Sequence, residues 1–262
     1  AAFAAAHPAL RWINKPMLPD FEVIKTGDFL ELKSDYYNAD RTPNFFFERF
    51  SDVVRKTLLT YWNTISFHTL YAEASNFELS QSPALKDRSM MDQWIISELY
   101  SLIVEVDKAY NDFDSQTAGK VLARFIDDLS NWYVRRSRDR FWEGSAEAFD
   151  TLYTVLEILC RVAAPLLPMV GEEIWKGLTG GRSVHLENWP DSSELPQDSA
   201  LVSAMDQVRT VSSVASSLRK ANSLRVRLPL AKLTVVTANA SALEAFSEIL
   251  AEELNVKSVS LV

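Results

Sequence analysis

A chain of 262 residues with 47% apolar and 24% charged residues is long enough for one sizeable core or two unequal domains, and this composition predicts a soluble globular protein. The formal net charge of −8 argues against a protein coated in positive potential, so any site for a polyanion must be local. A single cysteine, Cys160, excludes an internal disulfide framework and a multi-cysteine zinc site, and fits a reducing cytosol. No apolar run is long enough to span a bilayer, so no membrane contact is expected.

The first 47 residues show no clear period, and we assign no structure or role to them. Four of the ten prolines in the chain fall in this segment: Pro8, Pro16, Pro19 and Pro43. The opening residues lack the features of a signal peptide, and the chain does not begin with Met. We therefore expect the chain to be a piece of a larger protein.

Residues 48–180 carry the 3.6-residue period of four long amphipathic helices. The predicted apolar stripe of the first helix consists of Phe50, Val53, Val54, Leu58, Trp62, Ile65 and Leu70. The second helix covers "SMMDQWIISELYSLIVEVDKAYNDF", the third begins near Asp114 or Ser115, and the fourth begins after Ser145. Four long helices joined by short connections predict an antiparallel bundle.

After Gly181 the pattern changes, which predicts a second and smaller domain. Residues 181–197 are polar and rich in turn-forming residues, so they are expected to form a linker. Residues 198–262 then predict a helix capped by Asp198, an alternating strand "LRVRLPLAKLTVV", a helix from Ser241 and a terminal strand "NVKSVSLV". The predicted fold is therefore mainly α, a helix bundle followed by a small α/β domain.

Residues suited to catalysis or to metal binding are scarce in this sequence. The three histidines do not stand at metal-ligand spacing from one another or from Cys160, and no glycine-rich phosphate loop occurs. We interpret His68, which lies near the apolar stripe of the first helix, as a structural residue. We predict neither a catalytic site nor a bound cofactor or metal in this chain.

Positive charge is concentrated in "NWYVRRSRDRFW", residues 131–142. Four arginines against one aspartate give this stretch a charge of +3: Arg135, Arg136, Arg138 and Arg140, with Asp139. Asn131, Arg135, Arg138 and Trp142 follow a row displaced from the apolar face of the helix. Either the cations complement a helix end and pair with acids, or the guanidinium groups bind phosphate while an exposed aromatic stacks on a base.

A second basic group supports the phosphate hypothesis. "SLRKANSLRVRLPLAK" contains Arg219, Lys220, Arg225, Arg227 and Lys232 and no acidic residue. In the predicted strand, alternation places Arg225 and Arg227 on the face opposite Leu224, Val226 and Leu228. Two basic faces on adjoining domains indicate a cleft for a polyanion.

These stretches together resemble the C-terminal anticodon-binding region of isoleucyl-tRNA synthetase, a class I aminoacyl-tRNA synthetase. The resemblance rests on "DVVRKTLLTYWNTISF", "DRSMMDQWIISELYSLIVEVDKAYNDFD", "DLSNWYVRRSRDRFW", "LYTVLEILCRVAAPLLPMVGEEIWKGL", "SVHLENWP", "LRVRLPLAKL" and "ELNVKSV". It covers roughly residues 48–262 and is closest to the branch that includes the eukaryotic-type enzymes.

The resemblance implies an RNA-binding module whose partners are tRNA(Ile) and the catalytic domain of the same polypeptide, in a monomeric cytoplasmic enzyme. ATP and Mg²⁺ would bind in that catalytic domain, because neither of its two signature motifs occurs here. The expected RNA contacts are Asn131, Arg135, Arg136, Arg138, Arg140, Trp142, Arg219, Lys220, Arg225 and Arg227. The alternatives are the same domain of a valyl, leucyl or methionyl enzyme, or a helical scaffold without an RNA role.

Overall fold

The structure of the chain is a computed structural model that describes residues 21–26, 29–34, 53–77, 85–237 and 239–262. The chain forms two compact units, Ala1–Trp62 and Asn63–Val262. In the first unit, β1 (Phe21–Thr26) pairs antiparallel with β2 (Phe29–Ser34), with Phe21 opposite Ser34 and Thr26 opposite Phe29. The remaining residues of the unassigned segment 1–47 lie outside the described part of the chain.

The first predicted helix is present, but its predicted buried face is wrong. A π-helical turn, Val54–Leu58, leads into α1 (Leu59–Ala74). Thr64 and His68 are buried on this helix. Of the predicted stripe, Val53, Trp62 and Leu70 are exposed, Val54, Leu58 and Ile65 are half-buried, and Phe50 lies outside the described residues. Apolar side chains occur all around α1, so the 3.6-residue period does not select one face.

The next five helices that the structure describes belong to the second unit, and several of their ends have clear local causes. They are α2 (Met90–Asn111), α3 (Ser115–Asp128), α4 (Arg138–Trp142), α5 (Ala146–Ala163) and α6 (Pro168–Thr179), and α3 continues as a π-helical segment, Leu129–Val134. The side chain of Asp114 accepts a hydrogen bond from the amide of Thr117 at 2.9 Å, as the predicted N-cap requires. Gly144 and Gly180 have φ angles of +77° and +67°, which glycine adopts without steric cost.

The helices pack as an antiparallel bundle, which confirms the predicted fold class. Arg124 on α3 reaches back to Glu105 on α2, so these consecutive helices run in opposite directions. Tyr110 near the end of α2 donates a hydrogen bond to the carbonyl of Val162 near the end of α5, so α2 and α5 run in the same direction. The core between them contains the fully buried side chains of Trp94, Leu99, Leu102, Ile126, Leu129, Tyr133, Phe141 and Phe149.

The C-terminal part contains the predicted helices and a two-stranded parallel sheet. Two 3₁₀ turns, Val184–Leu186 and Ser192–Glu194, precede α7 (Ser199–Ala221), which Asp198 caps through the amide of Leu201. After β3 (Leu233–Val235) come α8 (Ala240–Leu243), a 3₁₀ turn at Glu244–Phe246, α9 (Ser247–Glu253) and β4 (Val259–Leu261). Leu233 is opposite Val259 in the parallel register of β3 and β4.

The alternating strand predicted from residue 224 onward is wrong for its first half. Residues 224–228 form turns, and their side chains, including those of Leu224, Val226 and Leu228, are all exposed. The domain boundaries at 180 and 198 stay a prediction. No helix within the described ranges combines the length and the apolar character needed to cross a bilayer.

Candidate nucleic-acid interface

Arg140 belongs to a buried polar network that holds α2 against the end of α3. Its guanidinium donates to both carboxylate oxygens of Asp92, at 3.0 and 2.6 Å, and the hydroxyl of Tyr133 donates to the same carboxylate at 2.6 Å. Asp92 is 1% exposed and also accepts a hydrogen bond from the hydroxyl of Ser89, the N-cap of α2. Burial, followed by the negative charge of Asp92, raises the pKa of Tyr133 well above its usual value, so the phenol stays a donor. This geometry gives Arg140 a structural role.

Arg135 and Arg136 pair with carboxylates at the end of α9. One terminal nitrogen of Arg135 donates to both carboxylate oxygens of Glu253, at 2.7 and 2.8 Å. Arg136 binds Glu252 at 2.6 Å and Glu253 at 3.2 Å, and its side chain is largely buried. These pairs join residues 116 to 118 apart in the sequence, so the acids that pair with the arginines come from another element and not from nearby positions of the same helix.

Arg138 and Trp142 are the members of the first basic group that face solvent most openly. Arg138 is exposed, and its side chain forms no hydrogen bond or ion pair with any residue that the structure describes. Trp142 is 77% exposed and touches Tyr71 of α1 edge to face, with 6.4 Å between ring centroids. Asn131 is also exposed, but its amide donates to Asp127 at 2.6 Å. The row predicted to lie outside the core is therefore exposed.

Two guanidinium groups lie over the indole ring of Trp132, and one of them, that of Arg209, links α7 to the bundle. The carbon atoms of the Arg135 and Arg209 guanidinium groups lie 5.8 and 6.0 Å from the centroid of the indole ring. Arg209 also forms a two-pronged ion pair with the buried carboxylate of Asp128. The carboxylate of Asp128 therefore has a partner in spite of its burial.

Arg219, in the second basic group, is buried and fixes the surrounding backbone through hydrogen bonds. The residue is only 5% exposed. Its guanidinium donates hydrogen bonds to the backbone carbonyls of Leu254 at 3.0 Å, Arg225 at 2.6 Å and Val226 at 3.2 Å. It also donates to the carbonyl of Leu228. These bonds fold residues 224–228 into a compact loop, which we call the basic turn. They also explain why this segment is not a strand.

The remaining cations of the second group are exposed around the basic turn. Lys220, Arg225, Arg227 and Lys232 face solvent, and their side chains form no ion pair within the described ranges. The amide of Lys257 donates to the carbonyl of Leu230 at 2.9 Å, which brings a further exposed lysine close to the turn. The result is an exposed cationic surface on an acidic chain.

The depressions lined by described residues of the second unit are open to solvent. One open depression of about 550 Å³ is lined by Arg124, Asp206, Arg209, Thr210, Ser213 and Val214, and both of its arginines pair with carboxylates. Among the described residues, no three histidine, cysteine, aspartate or glutamate side chains are placed to hold a metal ion. The accessible chemistry that the described residues offer here is therefore that of exposed cations and of the exposed indole of Trp142.

The sequence prediction missed the acidic partners of the arginines. Asp92 had a local signal, because Ser89 and Asp92 stand in the Ser-x-x-acid pattern of a helix N-terminus. Glu252 and Glu253 had no such signal, because their pairing depends on how α9 packs against the bundle.

Comparisons with known proteins agree with this picture. The family model described as "Anticodon-binding domain of tRNA ligase" matches residues 92–235. The chain is 56% identical over 215 residues to isoleucine–tRNA ligase of Leifsonia xyli, a match that covers 80% of this chain and 19% of the relative. It is 49% identical over 210 residues to isoleucine–tRNA ligase of Mycobacterium tuberculosis, which covers 80% of this chain and 20% of that relative. The corresponding enzyme of Bifidobacterium longum is 44% identical over 271 residues, which covers 96% of this chain and 23% of the relative. The chain thus spans about a fifth of the length of these curated relatives.

Proposed function

We propose a function from one premise: this chain belongs to the family of anticodon-binding domains of tRNA ligases, whose model matches residues 92–235. The chain is the tRNA-binding part of an isoleucine–tRNA ligase. The three relatives described above are named isoleucine–tRNA ligases and are 44–56% identical to it, which favours isoleucine over the valine, leucine and methionine alternatives.

The observation that carries an RNA-binding role is the exposed positive charge on an acidic chain. Whereas the whole chain has a net charge of −8, Arg138, Lys220, Arg225 and Arg227 are exposed without carboxylate partners among the described residues. Guanidinium groups bind phosphate through two parallel hydrogen bonds, and an exposed indole such as that of Trp142 can stack on an unpaired base. These five residues are the strongest of the ten proposed contacts.

The other five proposed contacts use their side chains within the protein. Arg135, Arg136 and Arg140 pair with carboxylates, Asn131 pairs with Asp127, and Arg219 binds backbone carbonyls. Direct contacts of these residues with RNA stay a prediction, and each contact would have to form beside a bond that the structure shows or in its place.

The full-length protein, by this proposal, joins isoleucine to tRNA(Ile) with ATP and Mg²⁺ in a separate catalytic domain, as a cytoplasmic monomer. The division into a bundle at 48–180, a linker at 181–197 and an α/β domain at 198–262 is part of the proposal. Limited proteolysis should cut first within 181–197, and first cuts inside α7 would contradict the division. The placement in the branch that includes eukaryotic-type enzymes is also a proposal, which a phylogeny of full-length sequences tests.

Binding of tRNA(Ile) at several salt concentrations tests the proposed function. Arg138→Gln should make the slope of log affinity against log salt shallower by roughly one unit, because one phosphate contact is lost. Trp142→Ala should weaken binding with little change of slope, because base stacking releases no counterions. Lys120→Gln, which removes an exposed cation from the bundle helix α3, is the matched control and should change neither quantity.

A scaffold without an RNA role is the second candidate, and the ion pairs of Arg135, Arg136 and Arg140 favour it. In that case these three arginines only hold helices together through their ion pairs. Unchanged affinity and slope in both the Arg138 and Trp142 variants would support the scaffold and contradict the contacts proposed above.

A further inference from the structure

The basic turn, residues 224–228, is built so that its polar backbone faces inward and its side chains face outward. The buried guanidinium of Arg219 donates hydrogen bonds to the carbonyls of Arg225, Val226 and Leu228. Within the turn, the amide of Leu228 donates to the carbonyl of Arg225 at 3.0 Å. The amide of the Asn255 side chain donates to Val226 from the other side at 3.2 Å. With the carbonyls held inside, Arg225 and Arg227 are both exposed.

The charged side chains of residues 219–232 have one sign only. Residues 219–232 contain five cations and no acid, which gives a local charge of +5 in a chain of net charge −8: Arg219, Lys220, Arg225, Arg227 and Lys232. Lys257 adds another cation beside Leu230. A cationic surface without interspersed carboxylates suits the phosphates of a nucleic acid backbone.

Two acids beside Leu254, a hydrogen-bond partner of Arg219, would oppose phosphate binding if they were free. Glu252 and Glu253 directly precede Leu254, whose carbonyl accepts a hydrogen bond from Arg219. Both carboxylates are occupied by Arg135 and Arg136, at distances of 2.6 to 3.2 Å. The first basic group therefore neutralises the acids beside the second basic group.

We propose that the exposed cations of residues 220–232, together with Lys257, form the surface that binds the phosphate backbone of the RNA. Arg219 is the positioning residue of this surface. In this inference Arg135 and Arg136 support binding by neutralising Glu252 and Glu253, a role that takes the place of the direct phosphate contacts predicted from the sequence. This inference rests on the proposed function for the identity of the RNA. It specifies which cations bind the phosphates of that RNA.

The direct test is the double substitution Arg225→Gln and Arg227→Gln in tRNA(Ile) binding. Losing two phosphate contacts should make the salt slope shallower by about 1.4 to 1.8 units and weaken binding about 25- to 60-fold at 0.1 M salt. The control Lys108→Gln with Lys120→Gln removes the same charge from exposed positions on α2 and α3, and it should leave the slope unchanged. If the wild type binds tRNA in a salt-dependent way but the Arg225 and Arg227 variant has the same salt slope, this inference is overturned while the proposed function stands. If the wild type shows no salt-dependent binding, the proposed function fails as well.

The positioning role of Arg219 is tested by Arg219→Lys, which keeps the charge. An ammonium group cannot span the carbonyls that the planar guanidinium joins, so a folded variant should lose part of the salt slope. Circular dichroism confirms folding. A folded variant with wild-type affinity and slope would contradict the positioning role, and the Arg225 and Arg227 experiment stays decisive if this variant does not fold.

The neutralising role of Arg135 and Arg136 is tested by a charge cycle. Replacing both arginines by Gln should weaken tRNA binding, because Glu252 and Glu253 are then uncompensated beside the basic turn. Replacing both glutamates by Gln as well should restore binding to at least half of the wild-type affinity. If the quadruple variant binds as weakly as the arginine variant, the two arginines contact phosphate directly and this part of the inference is overturned.

Discussion

Substitution of Asp92 by Asn tests how much of the bundle depends on one buried carboxylate. Asp92 accepts hydrogen bonds from Tyr133 at 2.6 Å and from both terminal nitrogens of Arg140. Asn has the same size but no charge, and its amide nitrogen would point at a donor. Removing one partner of a buried ion pair costs about 3 to 5 kcal/mol.

The expected loss lies around the lower end of that range and partly below it, because Arg140 has other ways to be solvated. Its side chain is 27% exposed, and Glu147 lies 3.7 Å away. We therefore expect Asp92→Asn to lower the free energy of unfolding by about 2 to 4 kcal/mol. Urea unfolding measures this free energy, and an unchanged m-value would show that the loss is a change of stability.

The control is Asp107→Asn, which removes the same charge from an exposed position of α2 and should cost less than about 1 kcal/mol. Adding Arg140→Gln to Asp92→Asn should cost less than the sum of the two single substitutions, because the unpaired guanidinium is then gone. A loss below about 1 kcal/mol for Asp92→Asn, or strict additivity in the cycle, would refute the proposed role of this network.

Three further predictions concern stability. Phe125 is buried in the bundle, so Phe125→Ala should cost about 3 to 5 kcal/mol in denaturant unfolding, and a loss below about 1 kcal/mol would contradict that packing. Burial lowers the pKa of His68 to about 4, although a backbone hydrogen bond acts in the opposite direction. The contribution of the neutral imidazole to the free energy of unfolding is therefore complete above pH 6.5 and is lost as the pH falls toward 4. The loss should reach about 3 kcal/mol, and an equally steep pH dependence in His68→Leu would contradict it. A methyl group at Gly181 would lie 2.5 Å from the indole nitrogen of the buried Trp175, so Gly181→Ala should lower the melting temperature. Gly177→Ala, which meets nothing within 4 Å inside α6, should raise it, and equal effects of the two substitutions would contradict this reasoning.

The bundle could be predicted from the sequence because its signals are local and repeated. The period of α2, α3 and α5 selects one face of each helix, and short side chains such as Asp114 cap the helix ends within three residues. The same reasoning failed for α1, where apolar residues surround the helix. The hairpin of β1 and β2 also had a signal that the prediction did not use, a Gly-Asp pair between two runs rich in β-formers.

The candidate site was harder to predict, because its residues are defined by distant partners. Composition located the two cationic stretches, but it could not show that Arg135 binds Glu253 or that Arg219 is buried. The run "LRVRL" alternates like a strand, yet the hydrogen bonds of Arg219 fold it into a turn. The arginines that bind distant carboxylates or carbonyls therefore have structural roles, and only the structure separates them from the exposed arginines.

The salt dependence of tRNA(Ile) binding by the wild-type chain tests the central claim most directly. If the exposed cations meet RNA phosphates, log affinity should fall linearly with log salt, with a slope steeper than about −2. Binding that is independent of salt, or an absence of binding at low salt by a chain that circular dichroism shows to be folded, would contradict the account.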